Sequence, residues 1–395
     1  MGVSIFCVSA ISAEAATAVK PKVPVPAPLE ISGWVPYWRK ATGTIDTMAH
    51  LGTFKEINPF GYTVKKDGTL FDAMKISEEP WPAMIAAARA KKIRIIPTVM
   101  WSDGDTIDAI LRSPKARKAH IDAIMQVVKE NNFDGIDIDY EAKKAETKPY
   151  FSAFLKELYA AMGKKWVMCT IEPRTPLEAR YDTIPKDIEY ANDFVAINKY
   201  CDRVRIMAYD QGAIDLRLND ANQSAYVPIA DPKWVEKVIN LTAKTISKKK
   251  IVLGIPTYGY EYELKPLTEG YRYERLWSFN PRYATELATE HSLNPMRNSA
   301  GELSFMYIPK NEAEITGTAA QQALGVQNAL LASAAGINIA QAQTPPQPVP
   351  LRIVWWSDAQ AIKDKIDLAR KLGIRGVAIF KIDGGADPAI WDVLK

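Results

Sequence analysis

The 395-residue chain is 47% hydrophobic and 24% charged, with a formal net charge of +4. That composition can bury a large core, and its charge is too mild for a polyanion-binding surface. No basic run interleaved with aromatics occurs, which sets nucleic acid aside as a partner, and beyond the N-terminus no stretch is long and apolar enough to span a membrane.

From the N-terminus, Val3 to Ala13 form a short apolar segment that runs into the small residues Ser12 to Ala18. This reads as the core and cleavage zone of a signal peptide without its positive start. The proline-rich tether Lys20 to Pro28 follows and is expected to be extended and semi-rigid. Residues 1–28 are therefore assigned to a leader and tether, and the mature chain to the cell exterior or envelope.

Short β-branched or aromatic runs then recur at Ile31–Trp38, Glu56–Val64, Arg94–Trp101, Phe133–Glu141, Trp166–Pro173, Val204–Asp210, Ile251–Tyr260 and Gly376–Asp383. Amphipathic segments such as Pro80–Lys92, Lys115–Asn131, Lys148–Met162, Pro232–Ser247 and Asp358–Leu372 lie between them. Strand–helix alternation of this kind predicts an α/β protein, a (β/α)₈ TIM barrel. More than a hundred residues separate the seventh and eighth strands. The spacing predicts a small α+β insertion between strand 7 and helix 7, with strands at Leu303–Ile308 and Leu351–Trp356 and a helix at Pro281–His291. The barrel is thus assigned to 29–260 and 357–395, and the insertion to 261–356, including an Ala/Gln/Pro-rich excursion at 311–350.

In such a barrel, active-site residues sit at the carboxyl ends of strands. Tyr37, Tyr62, Trp101, Glu141, Glu172, Tyr209, Asp210, Tyr258 and Asp383 occupy those ends. The fourth strand carries the strongest signal, because Asp137, Asp139 and Glu141 alternate with Ile136, Ile138 and Tyr140. Residues two apart share a face, so the three acids project together at a spacing of roughly 6–7 Å. They cannot all stay ionised, and at least one is expected to hold a proton near neutral pH. Asp134 is out of phase and is read as a brace, and Gly135 as a close-packing residue.

Cys7 lies in the leader, and Cys169 and Cys201 are read as buried free thiols, since three cysteines make no disulfide framework. His50, His120 and His291 offer neither metal-ligand spacing nor a base for a nucleophile, and are read as structural. No cofactor is expected. A divalent-metal site on the alternating acids lacks identifiable further oxygen ligands. The 10 Trp and 17 Tyr suit packing against sugar faces.

These residues resemble glycoside hydrolase family 18, the chitinase-like enzymes. The family's D-G-x-D-x-D-x-E is complete as Asp134, Gly135, Asp137, Asp139 and Glu141, its M-x-Y-D appears as Met207 to Asp210, and its G-x-P-x-Y-G as Gly254 to Gly259. The resemblance covers Ile31 to the C-terminus. It implies retaining hydrolysis of β-1,4 bonds next to N-acetylglucosamine, in chitin oligosaccharides or peptidoglycan; separately, the chain is expected to be a monomer. In this family the substrate's acetamido oxygen is the nucleophile and one carboxyl group suffices. By resemblance Glu141 is the general acid/base, Asp139 orients the acetamide, Asp137 shares a proton with Asp139, and Tyr209 binds the acetamido oxygen. Asp210, Met207, Tyr258, Phe380, Trp101, Tyr37 and Glu172 are the implied or candidate substrate-binding residues.

Two departures from the family pattern stand out. Many members have S-x-G-G at the third strand, where this chain has Val99-Met100-Trp101-Ser102, so Trp101 is expected at the site. Phe380 takes the position of a floor tryptophan. Glu172 and Arg174 add charge suited to a polar substituent on the glycan, and the closing run Gly384 to Trp391 leans toward the members that act on bacterial cell walls. Two alternatives remain: a non-catalytic carbohydrate-binding protein, against which Glu141 argues, and a two-carboxylate retaining glycosidase with Glu172 or Glu261 as nucleophile.

Overall fold

A computed structural model of the protein describes Gly2 and residues 28–222, 224–267, 271–310 and 351–395. Nearly all of the expected leader and tether, and the whole 311–350 excursion, lie outside the described residues. Eight parallel strands form the central sheet: β1 (Glu30–Pro36), β2 (Glu56–Val64), β3 (Thr98–Trp101), β4 (Gly135–Tyr140), β5 (Trp166–Ile171), β6 (Arg203–Ile206), β7 (Ile251–Pro256) and β8 (Gly376–Phe380). They pair in sequence order, and β1 pairs with both β2 and β8, which closes the barrel. The expected (β/α)₈ architecture is therefore the observed one.

Where strand limits depart from the expected spans, proline accounts for two of the differences. The third run splits at Pro97, whose missing N–H interrupts the ladder and leaves Arg94–Ile95 as a separate two-residue strand on β2. The seventh run splits after Pro256, and Gly259–Pro266 belongs to a second sheet. That sheet is antiparallel, in the order Tyr271–Phe279, Gly259–Pro266, Leu351–Trp356, Leu303–Tyr307, Met296–Arg297. It begins at Gly259, two residues before the expected boundary. One face packs on the helix Pro281–Glu290 through Phe279, Ala284, Phe305 and Trp356. Tyr260, Tyr262, Ile353 and Trp355 join the main core.

Period-two alternation sorts the barrel into two cores. On β4, Ile136, Ile138 and Tyr140 point outward into the helix layer, where Tyr140 stacks with Phe154 at a centroid distance of 5.5 Å. His120 belongs to the same layer, with Nδ1 2.6 Å from the Gly68 carbonyl and Nε2 2.5 Å from the Tyr140 hydroxyl. Burial lowers its pKa to about 4, so the imidazole is neutral: Nδ1 donates to Gly68 and Nε2 accepts from Tyr140. Inside the barrel, Trp34, Phe60, Val252 and Ala378 form a compact apolar cluster with Met100 and Phe380 against it. Gly135 lets β4 lie close against β5, since a Cβ there would be 2.3 Å from the Trp166 carbonyl oxygen. Asp134 accepts the Ile95 N–H at 2.8 Å, which is the bracing role expected of it.

The thiols at 169 and 201 are not free. Cys169 on β5 and Cys201, two residues before β6, form a disulfide with a Cα–Cα distance of 5.9 Å across a separation of 32 residues. Cysteine counting missed it because adjacency of two parallel strands, and not spacing in the chain, brings the residues together. Closing a loop of that length stabilises a fold by about 3–4 kcal/mol in the chain-entropy treatment. Replacing both cysteines by alanine should therefore lower the unfolding free energy by about that amount in guanidinium titrations. An unchanged midpoint would show that the crosslink contributes nothing.

Candidate active site

The interior of the barrel is a stack of charges topped by a cleft. At its base, burial opposes ionisation of Glu30, but the guanidinium groups of Arg203 and Arg375 hold its pKa down to about 2. One layer up, Glu56 pairs with Arg94 at 3.2 Å and with Arg205. Arg205 also lies 2.9 Å from Asp137. Arg94, Glu56, Arg205 and Asp137 thus alternate in sign, and the last three are almost completely buried. Asp137 accepts from Trp34 Nε1 at 3.1 Å and Thr98 Oγ1 at 2.8 Å on one oxygen, and from Thr170 Oγ1 at 2.9 Å on the other, which also faces Arg205.

Asp139, the next acid up, has no such company. It is 2% exposed, and its Oδ1 has no hydrogen-bond partner among the described residues. Burial first, then the charges of Glu141 and Asp137, push its pKa well above the carboxylate range. Its carboxyl group is hydrogen-bonded to Glu141, whose own pKa is raised by burial and by Glu172. The sequence led us to expect a proton shared between Asp137 and Asp139. In this conformation Asp137 accepts from Trp34, Thr98 and Thr170 and pairs with Arg205, and the contact Asp139 makes is with Glu141.

Above these acids opens a cleft of about 430 Å³ lined by Trp34, Trp38, Phe60, Met100, Asp139, Glu141, Thr170, Glu172, Pro173, Met207, Tyr209, Asp210 and Phe380. Tyr209 lies nearly parallel to Phe380, with centroids 5.6 Å apart. It fits because residue 254 is glycine: a Cβ there would sit 2.8 Å from the tyrosine ring. Asp210, at φ 56, is held in the left-handed region and receives the hydroxyls of Tyr258 at 2.6 Å and Tyr260 at 2.9 Å. Glu172 accepts from the Ala142 N–H at 3.1 Å and from Asn192 at 2.8 Å.

Glu141, Asp139, Tyr209, Asp210, Met207, Phe380 and Glu172 therefore meet in one cleft, with Asp137 beneath them. Three expected substrate contacts do not line it. Trp101 is 4% exposed and packs outward on His120 and Tyr140, because on β3 it is Thr98 and Met100 that face inward. Tyr258 is buried behind Asp210 as its hydrogen-bond donor. Tyr37 packs edge-on against Trp38, and Trp38 is the residue that reaches the cleft. Glu261 is remote from the acids, fully buried among Tyr283, Tyr307 and Arg352, which removes it as a nucleophile. Arg174 is clamped between the rings of Tyr190 and Phe194, at 3.6 and 4.0 Å from their centroids.

Trp38, Phe60, Met100 and Arg205 escaped the sequence reading, and all but Met100 carried a signal. Trp38 continues the phase of Trp34, and Phe60 that of Glu56. Arg205 shares the phase of Met207 and Tyr209. Among the described residues no group of three His, Cys, Asp or Glu side chains is arranged to hold a metal ion.

Because Arg205 bridges Asp137 and Glu56, replacing it with methionine would leave Asp137 buried without a cation and Glu56 with Arg94 alone. Loss of one partner from such a network costs about 3–5 kcal/mol. Denaturation of Arg205→Met should show a loss of that size. A variant as stable as the parent would mean that the charges are already met by water.

The family model for glycosyl hydrolases family 18 matches residues 34–385. The uncharacterized glycosylase YvbX of Bacillus subtilis is 21% identical over 295 residues, spanning 74% of this chain and 70% of that protein. The cortical fragment-lytic enzyme of Bacillus anthracis is 23% identical over 357 residues, spanning 86% and 69%. Among solved structures, the Bacillus cereus spore cortex-lytic enzyme SleL superposes with a TM-score of 0.67 at 19% identity, covering 94% of this chain and 74% of that one. A chitinase from Chromobacterium violaceum gives 0.66 at 17% identity, over 93% and 98%. At these identities the structural likeness speaks to the fold.

Proposed function

The chain belongs to glycosyl hydrolases family 18, and from that premise we propose that it cleaves β-1,4 bonds on the reducing side of N-acetylglucosamine by substrate-assisted catalysis. The observation that carries this reading is the hydrogen-bonded Asp139–Glu141 pair, set in an aromatic cleft with Tyr209 and Asp210 alongside, where burial and neighbouring acids raise both pKa values. Glu141 is nearest the mouth and protonates the leaving oxygen as the glycosidic C–O bond breaks. The acetamido carbonyl oxygen of the same sugar bonds to the anomeric carbon, giving an oxazolinium ion. Asp139 accepts the acetamide N–H and stabilises that positive charge, and the Tyr209 hydroxyl donates to the attacking oxygen. Glu141, now a carboxylate, then removes a proton from the water that opens the ring, so configuration is retained and the acid is regenerated.

Two observations bear on the polymer. Its likeness to a cortical fragment-lytic enzyme supports a bacterial cell-wall glycan, and the Cys169–Cys201 disulfide favours an oxidising compartment outside the cytoplasm. The aromatic lining suits the N-acetylglucosamine-containing glycans of either chitin or peptidoglycan. No helix among the described residues is long and apolar enough to cross a membrane.

Glu141→Gln should abolish turnover of an N-acetylglucosamine oligomer, and Asp139→Asn should slow it by about 10²–10⁴. Near-wild-type rates in the first variant would sink the assignment. Deacetylated oligomers should not be cleaved, whereas a two-carboxylate enzyme using Glu172 would still cleave them. Burial and neighbouring charge raise the Glu141 pKa, so the protonated, active form persists to higher pH than for an ordinary glutamic acid. The alkaline limb of kcat/KM should accordingly lie above the usual carboxylate range, and a limb near pH 4.5 would contradict that environment.

A further inference from the structure

Asp139, Glu141, Glu172 and Asp210 share one cleft, yet their cationic partners are few. Arg205 serves Asp137 from below, and Asp210 is bound by two tyrosine hydroxyls. The cation that acts on both Asp139 and Glu141 is Lys143. Its side chain is 1% exposed, with Nζ 3.6 Å from Glu172 Oε2. The ammonium also donates to the Tyr140 carbonyl and lies 4.9 Å from the centroid of the Phe151 ring.

The backbone is shaped to put it there. Directly after Glu141, Ala142 adopts φ 52, a left-handed conformation that an L-residue with a Cβ takes up at a cost of about 1–2 kcal/mol. Its N–H is caught by Glu172. Its carbonyl is pressed against Gly104, where a Cβ would lie 2.4 Å away. This turn sends Lys143 back into the barrel wall beside the acid, while the next residue, Lys144, reaches the surface and pairs with Asp105. Taking an ammonium group out of water is costly, and a lysine at a loop position pays that cost only where something holds it inside.

We propose that Lys143 is a positioning residue that supplies the counter-charge for Glu141, with Glu172 as its opposing partner, so that the pair sets how readily the acid gives up and retakes its proton. The proposal rests on the reading of Glu141 as the general acid/base. A group that must donate a proton in one step and accept one in the next works best with balanced proton affinity. Burial alone would lock the proton on Glu141. The groups facing it are Asp139 from β4, Glu172 just after β5, Tyr209 and Asp210 after β6, and Lys143 from the turn. Lys143 is the cation in that set, so it favours the carboxylate, and the carboxylate of Glu172 favours the acid. Burial pushes the Lys143 amine down, and Glu172, Asp139 and Glu141 oppose that shift.

The two partners must therefore act with opposite sign. Titration of the Glu141 carboxyl by carbon-13 NMR, assigned through Glu141→Gln, should move up by about one pH unit in Lys143→Met and down by about as much in Glu172→Gln. The Lys143→Met/Glu172→Gln double variant should lie between them, and Lys143→Arg should stay near the parent. The alkaline limb of kcat/KM on an N-acetylglucosamine oligomer should follow the same order. A purely structural brace would lower stability or rate in each variant without moving the titration. An unmoved Glu141 titration in folded Lys143→Met, or shifts of the same sign in both single variants, overturns the proposal. If Lys143→Met does not fold, Glu172→Gln decides: a titration that stays put or rises overturns it. Failure of the parent to cleave the oligomer would remove the glycosidase reading, while the titrations would still decide the electrostatic pairing.

Discussion

The charge run from Arg94 through Glu56 and Arg205 to Asp137 is the constraint on which the site rests. Each ion alone would be expelled from a barrel interior, since burying an unmatched charge costs several kcal/mol. Alternation of sign makes the run tolerable, and it also decides what the acids above can do. Asp137 is matched by Arg205 and accepts from Trp34, Thr98 and Thr170. Asp139 stands one step higher, above that negative charge and without an arginine of its own. Its raised pKa, and the bond to Glu141, follow from this position.

The inserted sheet takes part in the same arrangement. Its first strand starts three residues after β7 ends, and Tyr258 and Tyr260 turn their hydroxyls onto Asp210. Asp210 is in the left-handed region and would otherwise be free to choose other backbone states. Two phenolic donors hold its carboxylate at the cleft wall, so the insertion shapes the barrel site even though its own helix and second face pack elsewhere.

Most of the architecture was legible in the sequence because period-two and helical patterns are local. The eight strands, the acidic strand and its depth order could be read from alternation alone. Errors arose where partners were distant in the chain. Trp101 and Met100 are neighbours, and only pairing with β4 shows that Met100 faces the cleft. Cys169 and Cys201 meet because β5 and β6 are adjacent. The hairpin at 259–279 was visible in the alternation of Tyr260, Tyr262 and Leu264, but the apolar run before it was continuous and concealed the break at Pro256.

The same distinction explains why a motif does not by itself state chemistry. Asp137, Asp139 and Glu141 are evenly spaced on one strand, and nothing in that spacing distinguishes their proton states. The differences come from Arg205 on β6, from Thr98 and Thr170 on β3 and β5, from Glu172 beyond β5, and from a lysine turned inward by a left-handed alanine. Those contributors are up to 68 residues from the strand they act on, counting from Asp137 to Arg205. Closure of the barrel brings them to it, and the acid's proton affinity is in that sense a property of the fold.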